Sequence, residues 1–331
     1  MIHRALFLFV LLLALPAAAQ DAAVYGARLE GFDYPHPVQI FRFTSQNTAM
    51  EMAYMDVKPA RPNGRTVAVL HGKNFCAATW EGTIAALTGA GYRVIAPDQV
   101  GFCKSSKPAH YQYSFEQLAG NTKALLDSLG ISRVTILGHS MGGMLAMRFA
   151  LTFPQMTQQL VSVNPLGLED GRAKGVPWSS VDENYRAAQN TTADSAREYQ
   201  RTVYYAGIWK PEYEKWLQMQ VGMFRGAGKD VVAWNSALTS EMIFTQPVAH
   251  ELERLKMPVL FLIGDKDTTG RSNRAPKDVQ PTLGNFPAMS EAAKARIPTA
   301  KLVRFADTGH SPQIQDPARF HAALLDGLAH P

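Results

Sequence analysis

Six short apolar runs recur along the chain, at residues 67–70, 92–96, 133–137, 159–164, 258–263 and 301–305. Continuous apolar runs of that length, bounded by glycine, proline and polar residues, predict strands buried on both faces of a sheet. Between and after them lie stretches with helical spacing, at 77–90, 114–129, 142–150 and 317–328. In the last of these, Phe320, Leu324, Leu325 and Leu328 share one face. Ser114 stands where an N-cap belongs, with Gln117 three residues on as in a capping box, and Gly130 stands as a stop. Ahead of the runs, 39–43 alternates β-forming and polar residues, and 50–57 follows as its antiparallel partner. Strands alternating with helices predict an α/β fold with a mostly parallel, doubly covered sheet.

The alternation breaks once. Between the runs at 159–164 and 258–263 lies far more chain than one crossover helix needs, and residues 166–255 read as a mainly helical lid inserted into the core. The mature chain then divides into a first core part at 20–165, the lid at 166–255 and a second core part at 256–331. Four of the five tryptophans fall in the lid, namely Trp178, Trp209, Trp216 and Trp234, with Tyr204, Tyr205, Tyr213, Met219, Met223 and Phe224 beside them. Apolar and aromatic enrichment of this kind suits a pocket for a hydrophobic substrate, and equally suits the lid's own small core. Residues 268–287, carrying Arg271, Arg274 and Lys277, read as a solvated loop.

The first nineteen residues depart from the globular pattern. Met1-Ile2-His3-Arg4 is a positive start, 5–16 is apolar, and Ala17-Ala18-Ala19 is a small-residue cleavage site. Together they read as a secretory signal cut before Gln20, so the mature protein is expected in the periplasm or outside the cell. The apolar stretch is shorter than the roughly 20 residues of a membrane span, which leaves an uncleaved anchor as the alternative. The remaining composition is that of a globular protein of 331 residues with a formal charge of +5. No run of basic residues interleaved with aromatics points to nucleic acid, and no cluster of Cys and His has the spacing of metal ligands.

The candidate chemistry sits at Gly138-His139-Ser140-Met141-Gly142, between the run at 133–137 and the helix at 142–150. Strand, Gly-x-Ser-x-Gly and helix in that order form a nucleophile elbow, in which a serine is lifted on a tight turn that leaves no room for side chains beside it. Downstream, the run at 258–263 ends in Gly264-Asp265-Lys266-Asp267, and the run at 301–305 is followed by Asp307-Thr308-Gly309-His310. A serine nucleophile needs a histidine to take its proton and a carboxylate to orient that histidine. Serine, acid and histidine occur here in that order.

On these motifs the chain resembles the α/β-hydrolases over nearly its whole mature length. The resemblance implies Ser140 as nucleophile, Asp267 as acid and His310 as base, with Asp265 and Asp170 as the other acids near family positions. It also implies an oxyanion hole made by the backbone N–H groups of Lys73, which follows His71-Gly72, and of Met141. His71 and His139 fill positions that support the loops. Cys76 and Cys103 lie on loops that emerge at the same edge of this fold, so an exported protein is expected to bridge them, with two buried thiols as the alternative. Cys103 and Val100 stand where relatives usually have glycine and arginine.

The activity implied is hydrolysis of a small or medium apolar carboxylic ester or lactone through an acyl-enzyme, without metal or cofactor. Carbon–carbon bond hydrolysis of ring-cleavage products uses the same triad and is the alternative within the fold. A non-catalytic small-molecule binder is the alternative outside catalysis.

Overall fold

The computed structural model describes residues 23–331. The signal-sequence expectation at residues 1–19 therefore lies outside the described residues. Eight strands form one sheet: β1 (Val38–Ser45), β2 (Thr48–Val57), β3 (Thr66–Leu70), β4 (Arg93–Pro97), β5 (Val134–His139), β6 (Thr157–Val163), β7 (Val259–Gly264) and β8 (Ala300–Phe305). Their spatial order is β1-β2-β4-β3-β5-β6-β7-β8. The first two strands are antiparallel to each other and β2 runs antiparallel to β4, while every pairing from β4 to β8 is parallel. The six runs coincide with β3 to β8, each within two residues at its ends, but β8 is an edge strand in which only Phe305 is buried.

Period-two alternation divides the core into two layers. Val67 and Val69 of β3 and Leu260 and Leu262 of β7 face one layer; Ala68, Leu70, Phe261 and Ile263 face the other. The first layer is closed by α1 (Glu81–Gly89) and the C-terminal helix, through Trp80, Ile84, Phe320 and Leu324. The second is closed by α2 (Phe115–Ser128) and α3 (Met141–Thr152), through Leu118, Leu125, Leu145 and Phe149. At roughly 1.5–3 kcal/mol for each fully buried large apolar side chain, these layers dominate the folding free energy.

Local signals explain most helix ends. Ser114 accepts a hydrogen bond from the N–H of Gln117, as a cap should. The Gln117 side chain bonds Asn121 instead of returning to the cap, so the box is half made. Gly130 follows α2 with φ of +69°. The helix expected at 77–90 begins as a 3-10 turn, Ala77–Trp80, because the Ala77 N–H is held by the carboxylate of Asp98 and Thr79 bonds back to Cys76.

The chain between β6 and β7 is mainly helical: α4 (Val181–Gln189), α5 (Ala193–Tyr199), a π-helical turn at Gln200–Tyr204, α6 (Glu214–Gly222) and α7 (Lys229–Thr245). Beyond β7 the sequence leaves residues after 287 unassigned, but they form α8 (Phe286–Arg296), the crossover to β8. Its apolar face is short, Phe286, Met289 and Ala293, and its cap is Asn285, whose side chain accepts from the Ala288 N–H. The short helix α9 (Pro312–Gln315) and α10 (Pro317–Ala329) end the chain. Among the described residues no helix is long and apolar enough to cross a membrane.

Candidate active site

Ser140 occupies the turn between β5 and α3 with φ of 59° and ψ of −121°. A non-glycine residue there costs on the order of 1–3 kcal/mol and persists only where its surroundings enforce it. Main-chain bonds do so: the Ser140 N–H donates to Val163 O at 3.0 Å, and its carbonyl accepts from Gly143 at 2.9 Å and Leu166 at 3.1 Å. The flanking glycines are steric requirements. A Cβ on Gly138 would lie 1.9 Å from Gly142 O, and one on Gly142 would lie 2.2 Å from Leu70 O.

His310 lies on the loop after β8, fully buried, and its Nδ1 meets Asp267 Oδ2 at 2.6 Å. The same carboxylate oxygen accepts from Asn164 Nδ2 at 2.8 Å, while Oδ1 accepts from the Thr269 N–H at 2.8 Å. With an ionised carboxylate on Nδ1, the proton of a neutral imidazole sits on Nδ1 and leaves Nε2 as a free base. Nε2 of His310 is buried and has no hydrogen-bond partner among the described residues. His139, the residue before Ser140, places its ring 4.7 Å from that of His310 and bonds the His310 carbonyl through Nε2 at 2.7 Å. Burial, and then the neighbouring His310, push the His139 pKa well down, so it acts as a neutral strut.

The helical segment reaches the same loop. The N–H groups of His310 and Ser311 donate to Val203 O and Tyr204 O in the π-helical turn, and the Tyr204 ring lies 5.0 Å from that of His310. The Tyr204 hydroxyl accepts from Asn74 Nδ2 at 2.8 Å. One aromatic residue thus ties the histidine loop to the loop after β3. Asn164 and Tyr204 were both missed in the sequence. The first resembles an ordinary strand end, and the second is one aromatic among many.

The loop after β3 shows how a backbone donor is aimed. His71 Nδ1 lies 2.8 Å from Gly72 O, and its Nε2 accepts from the Gln99 N–H at 3.0 Å. In a trans peptide the N–H points opposite to the carbonyl, so holding Gly72 O sets the direction of the Lys73 N–H. Neither the Lys73 nor the Met141 N–H donates to a protein acceptor among the described residues. Met141 opens α3, where unpaired N–H groups and the helix dipole favour negative charge. Cys76 and Cys103 are joined as a disulfide with Cα atoms 5.8 Å apart, linking this loop to the one after β4. Cys103 takes φ of 46°, the left-handed conformation that glycine adopts most readily.

Comparison with known proteins agrees with this geometry. Residues 65–317 match the sequence model described as alpha/beta hydrolase fold. The chain belongs to the α/β-hydrolase family. A crystal structure of a probable hydrolytic enzyme from Pseudomonas aeruginosa PAO1 is 60% identical, with a TM-score of 0.91, over 93% of this chain and 99% of that one. A candidate carbamate hydrolase of Pantoea ananatis is 25% identical over 84% of this chain and 93% of its own length. A 2-hydroxy-6-oxo-6-phenylhexa-2,4-dienoate hydrolase of Burkholderia cepacia is 37% identical over a shorter stretch, 36% of this chain and 42% of that protein.

Within this hydrolase the other acids have separate places. Asp265 forms a two-pronged pair with Arg304, both bonds at 2.9 Å, and Asp170 meets His250 at 3.0 Å. Neither touches His310. Of the basic residues at 268–287, Arg274 bonds Ser179 and the Trp178 carbonyl, pinning that segment to the helical one. The aromatics at 166–255 divide as well. Tyr205 and Tyr213 stack at 3.7 Å with Trp209 edge-on to both, joined to the main apolar cluster, and Trp178 is 56% exposed. Met223 and Phe224 line one cleft, beside Lys73, Phe75 and Phe102. Leu166, Ile243, Phe244, Phe286 and Met289 line another, mostly apolar one that begins at Pro165, the residue after Asn164.

Proposed function

We propose that the protein is a serine hydrolase of carboxylic esters or lactones that works through an acyl-enzyme. The observation that carries this reading is the buried His310–Asp267 pair, whose Nε2 has no partner among the described residues; it is tied through His139 to the elbow that holds Ser140 in strained backbone. Ser140 Oγ attacks the carbonyl carbon and its proton passes to His310 Nε2. Asp267 orients the imidazole and stabilises the imidazolium. The Lys73 and Met141 N–H groups receive the oxyanion, and each such donor is worth ~3 kcal/mol in the transition state. Collapse returns the proton to the leaving alcohol. Water, deprotonated by His310, then releases the acid and frees Ser140.

We further read the helical segment at 166–255 as a lid, a reading supported by its backbone bonds to the His310 loop. Export to the periplasm or medium is part of the same proposal. It is supported by the N-terminal pattern and by the pairing of Cys76 with Cys103, since disulfides persist in oxidising compartments. The partner is then a small-molecule substrate.

The test is release of p-nitrophenol from a series of acyl esters by the mature protein, with Ser140→Ala alongside. Turnover in the parent and its loss by about 10³-fold or more in the variant is the expected result. Folded protein that cleaves no ester overturns the ester reading. Carbon–carbon hydrolysis then becomes the next assay, because of the partial similarity to the Burkholderia cepacia enzyme.

A further inference from the structure

The cleft beside the loop after β3 contains something an apolar ester does not require. Its walls include Phe75, Phe102, Met223, Phe224 and Val232, yet two lysines, Lys73 and Lys107, also line it, and among the described residues no acidic one does. Its interior room is about 40 Å³, and beyond that it opens to solvent through its mouth. Among the described residues neither ammonium has a carboxylate within ion-pair distance. Lys73 Nζ is held by neutral oxygens on α7, Ser236 O at 2.5 Å, Thr239 Oγ1 at 3.0 Å and Ser236 Oγ at 3.2 Å. Lys107 Nζ donates to Cys103 O at 2.5 Å and stands 3.4 Å from Ser105 O, which leaves at least one of its three protons for a ligand.

The nearest buried acid does not take that role. Asp98 lies under the disulfide and outside the cleft lining, and its oxygens are occupied by the Tyr34 hydroxyl and the N–H groups of Ala77 and Lys104. Two unpaired cations in an apolar cleft are costly unless an anion completes them. Burial pushes both lysines down to about 7, against the pull of Asp98 and Glu30 and with the push of Arg28 on Lys107; Lys73 faces only the neutral Ser236 and Thr239.

We propose that this cleft is a carboxylate subsite, and that the substrate is an ester or lactone bearing a carboxylate on one arm. Lys107 supplies the direct contact, Lys73 adds charge from the residue whose N–H faces the carbonyl oxygen, and the aromatic walls take the alkyl portion between. The naming of the substrate rests on the ester-hydrolase reading; the anion site rests on the cleft alone.

The experiment uses matched ester pairs: p-nitrophenyl hydrogen glutarate against p-nitrophenyl valerate for the acyl arm, and 4-butyryloxybenzoate against phenyl butyrate for the alcohol arm. Spontaneous hydrolysis is subtracted. The expected result is a kcat/KM preference for the anionic member of one pair of about tenfold or more, carried in KM, as for a partly buried charge-assisted bond. That preference falls towards one in Lys107→Met and survives in Lys107→Arg. Because it is a ratio, any pH dependence common to both esters cancels, and the preference in the unmodified protein is highest below pH 7 and declines above it as the lysines lose their protons. This pH arm needs no variant to fold.

Turnover without an anionic preference in either pair, or a preference untouched by Lys107→Met in a folded protein, overturns the subsite and leaves ester hydrolysis standing. If no ester is cleaved, the ester reading fails and calorimetry decides the subsite. Glutarate binding with proton uptake near pH 7.5, absent for valeramide and lost in Lys107→Met, supports it; no glutarate binding overturns it.

Discussion

Asp267 shows how much a single carboxylate depends on its neighbours. Oδ2 accepts from both His310 and Asn164, and Oδ1 from the Thr269 N–H, so the group is held in one orientation with its charge solvated by the protein. Replacing it by Asn keeps the shape but reverses the proton on His310 Nδ1, which then leaves Nε2 protonated and unable to act as base. Asp267→Asn is therefore expected to lower kcat about 10³–10⁴-fold with little change in thermal stability, measured on the best p-nitrophenyl ester. Asn164 acts through Asp267 and is a positioning residue. Asn164→Ala should lower kcat about tenfold and leave KM within a factor of two, because the lost bond positions the histidine and not the substrate. A fall in thermal stability with unchanged kcat would assign Asn164 to folding alone. The elbow's glycines and the chain order mark Ser140, Asp267 and His310 as candidates in the sequence, with Asp265 and Asp170 left open beside Asp267. Asn164 is not marked, because only the arrival of Asp267 from 103 residues away gives its amide a task.

The elements carry the geometry that those residues need. The elbow exists because β5 enters and α3 leaves at an angle that only glycine at 138 and 142 permits. Gly142→Ala places a methyl 2.2 Å from Leu70 O, a backbone atom of the neighbouring strand that has no flexible way to yield. The variant should lose several degrees of melting temperature and most ester turnover, checked by thermal unfolding and the same assay. The two loops after β3 and β4 are joined by the disulfide, whose sequence separation is 27. In the chain-entropy model that closure stabilises by ~3.5 kcal/mol, so Cys76→Ser with Cys103→Ser should lower the unfolding free energy by about that amount in denaturant titrations. Most strands could be read directly from their apolar runs. The crossover α8 escaped because its apolar face is only three residues wide and follows a loop rich in proline and charge.

At the scale of the whole molecule, the helical segment meets the histidine loop, and two separate clefts form where it meets other loops of the core. The apolar one draws its walls from the loop after β6, from α7 and from α8, elements far apart in sequence. Ile243→Trp fills it from the α7 side. On the ester-hydrolase reading this variant should keep activity on acetate and butyrate esters while octanoate turnover falls about tenfold, read as a shift in the kcat/KM chain-length profile. An unchanged profile would place the acyl chain elsewhere. The second cleft, with Lys73 and Lys107, is composed in the same way from loops after β3 and β4 and from the helical segment, which is why its charge was invisible in a chain whose basic residues are scattered.

What the sequence by itself determined is local or periodic. Apolar runs predict buried strands, spaced apolar faces predict helices, and glycines on both sides of Ser140 mark a turn with no room for Cβ atoms. Those features follow from sterics and hydrophobic burial acting over a few residues, and chain order then names candidate partners for Ser140. Only the tertiary structure decided which of Asp267, Asp265 and Asp170 meets His310, which aromatics face a cleft, and that Lys73 and Lys107 share one. Those outcomes depend on directions and distances between segments that are remote in sequence, and hydrogen bonding and electrostatics act over only a few ångströms. A carboxylate or an ammonium has a role only once folding has brought its neighbour within that range.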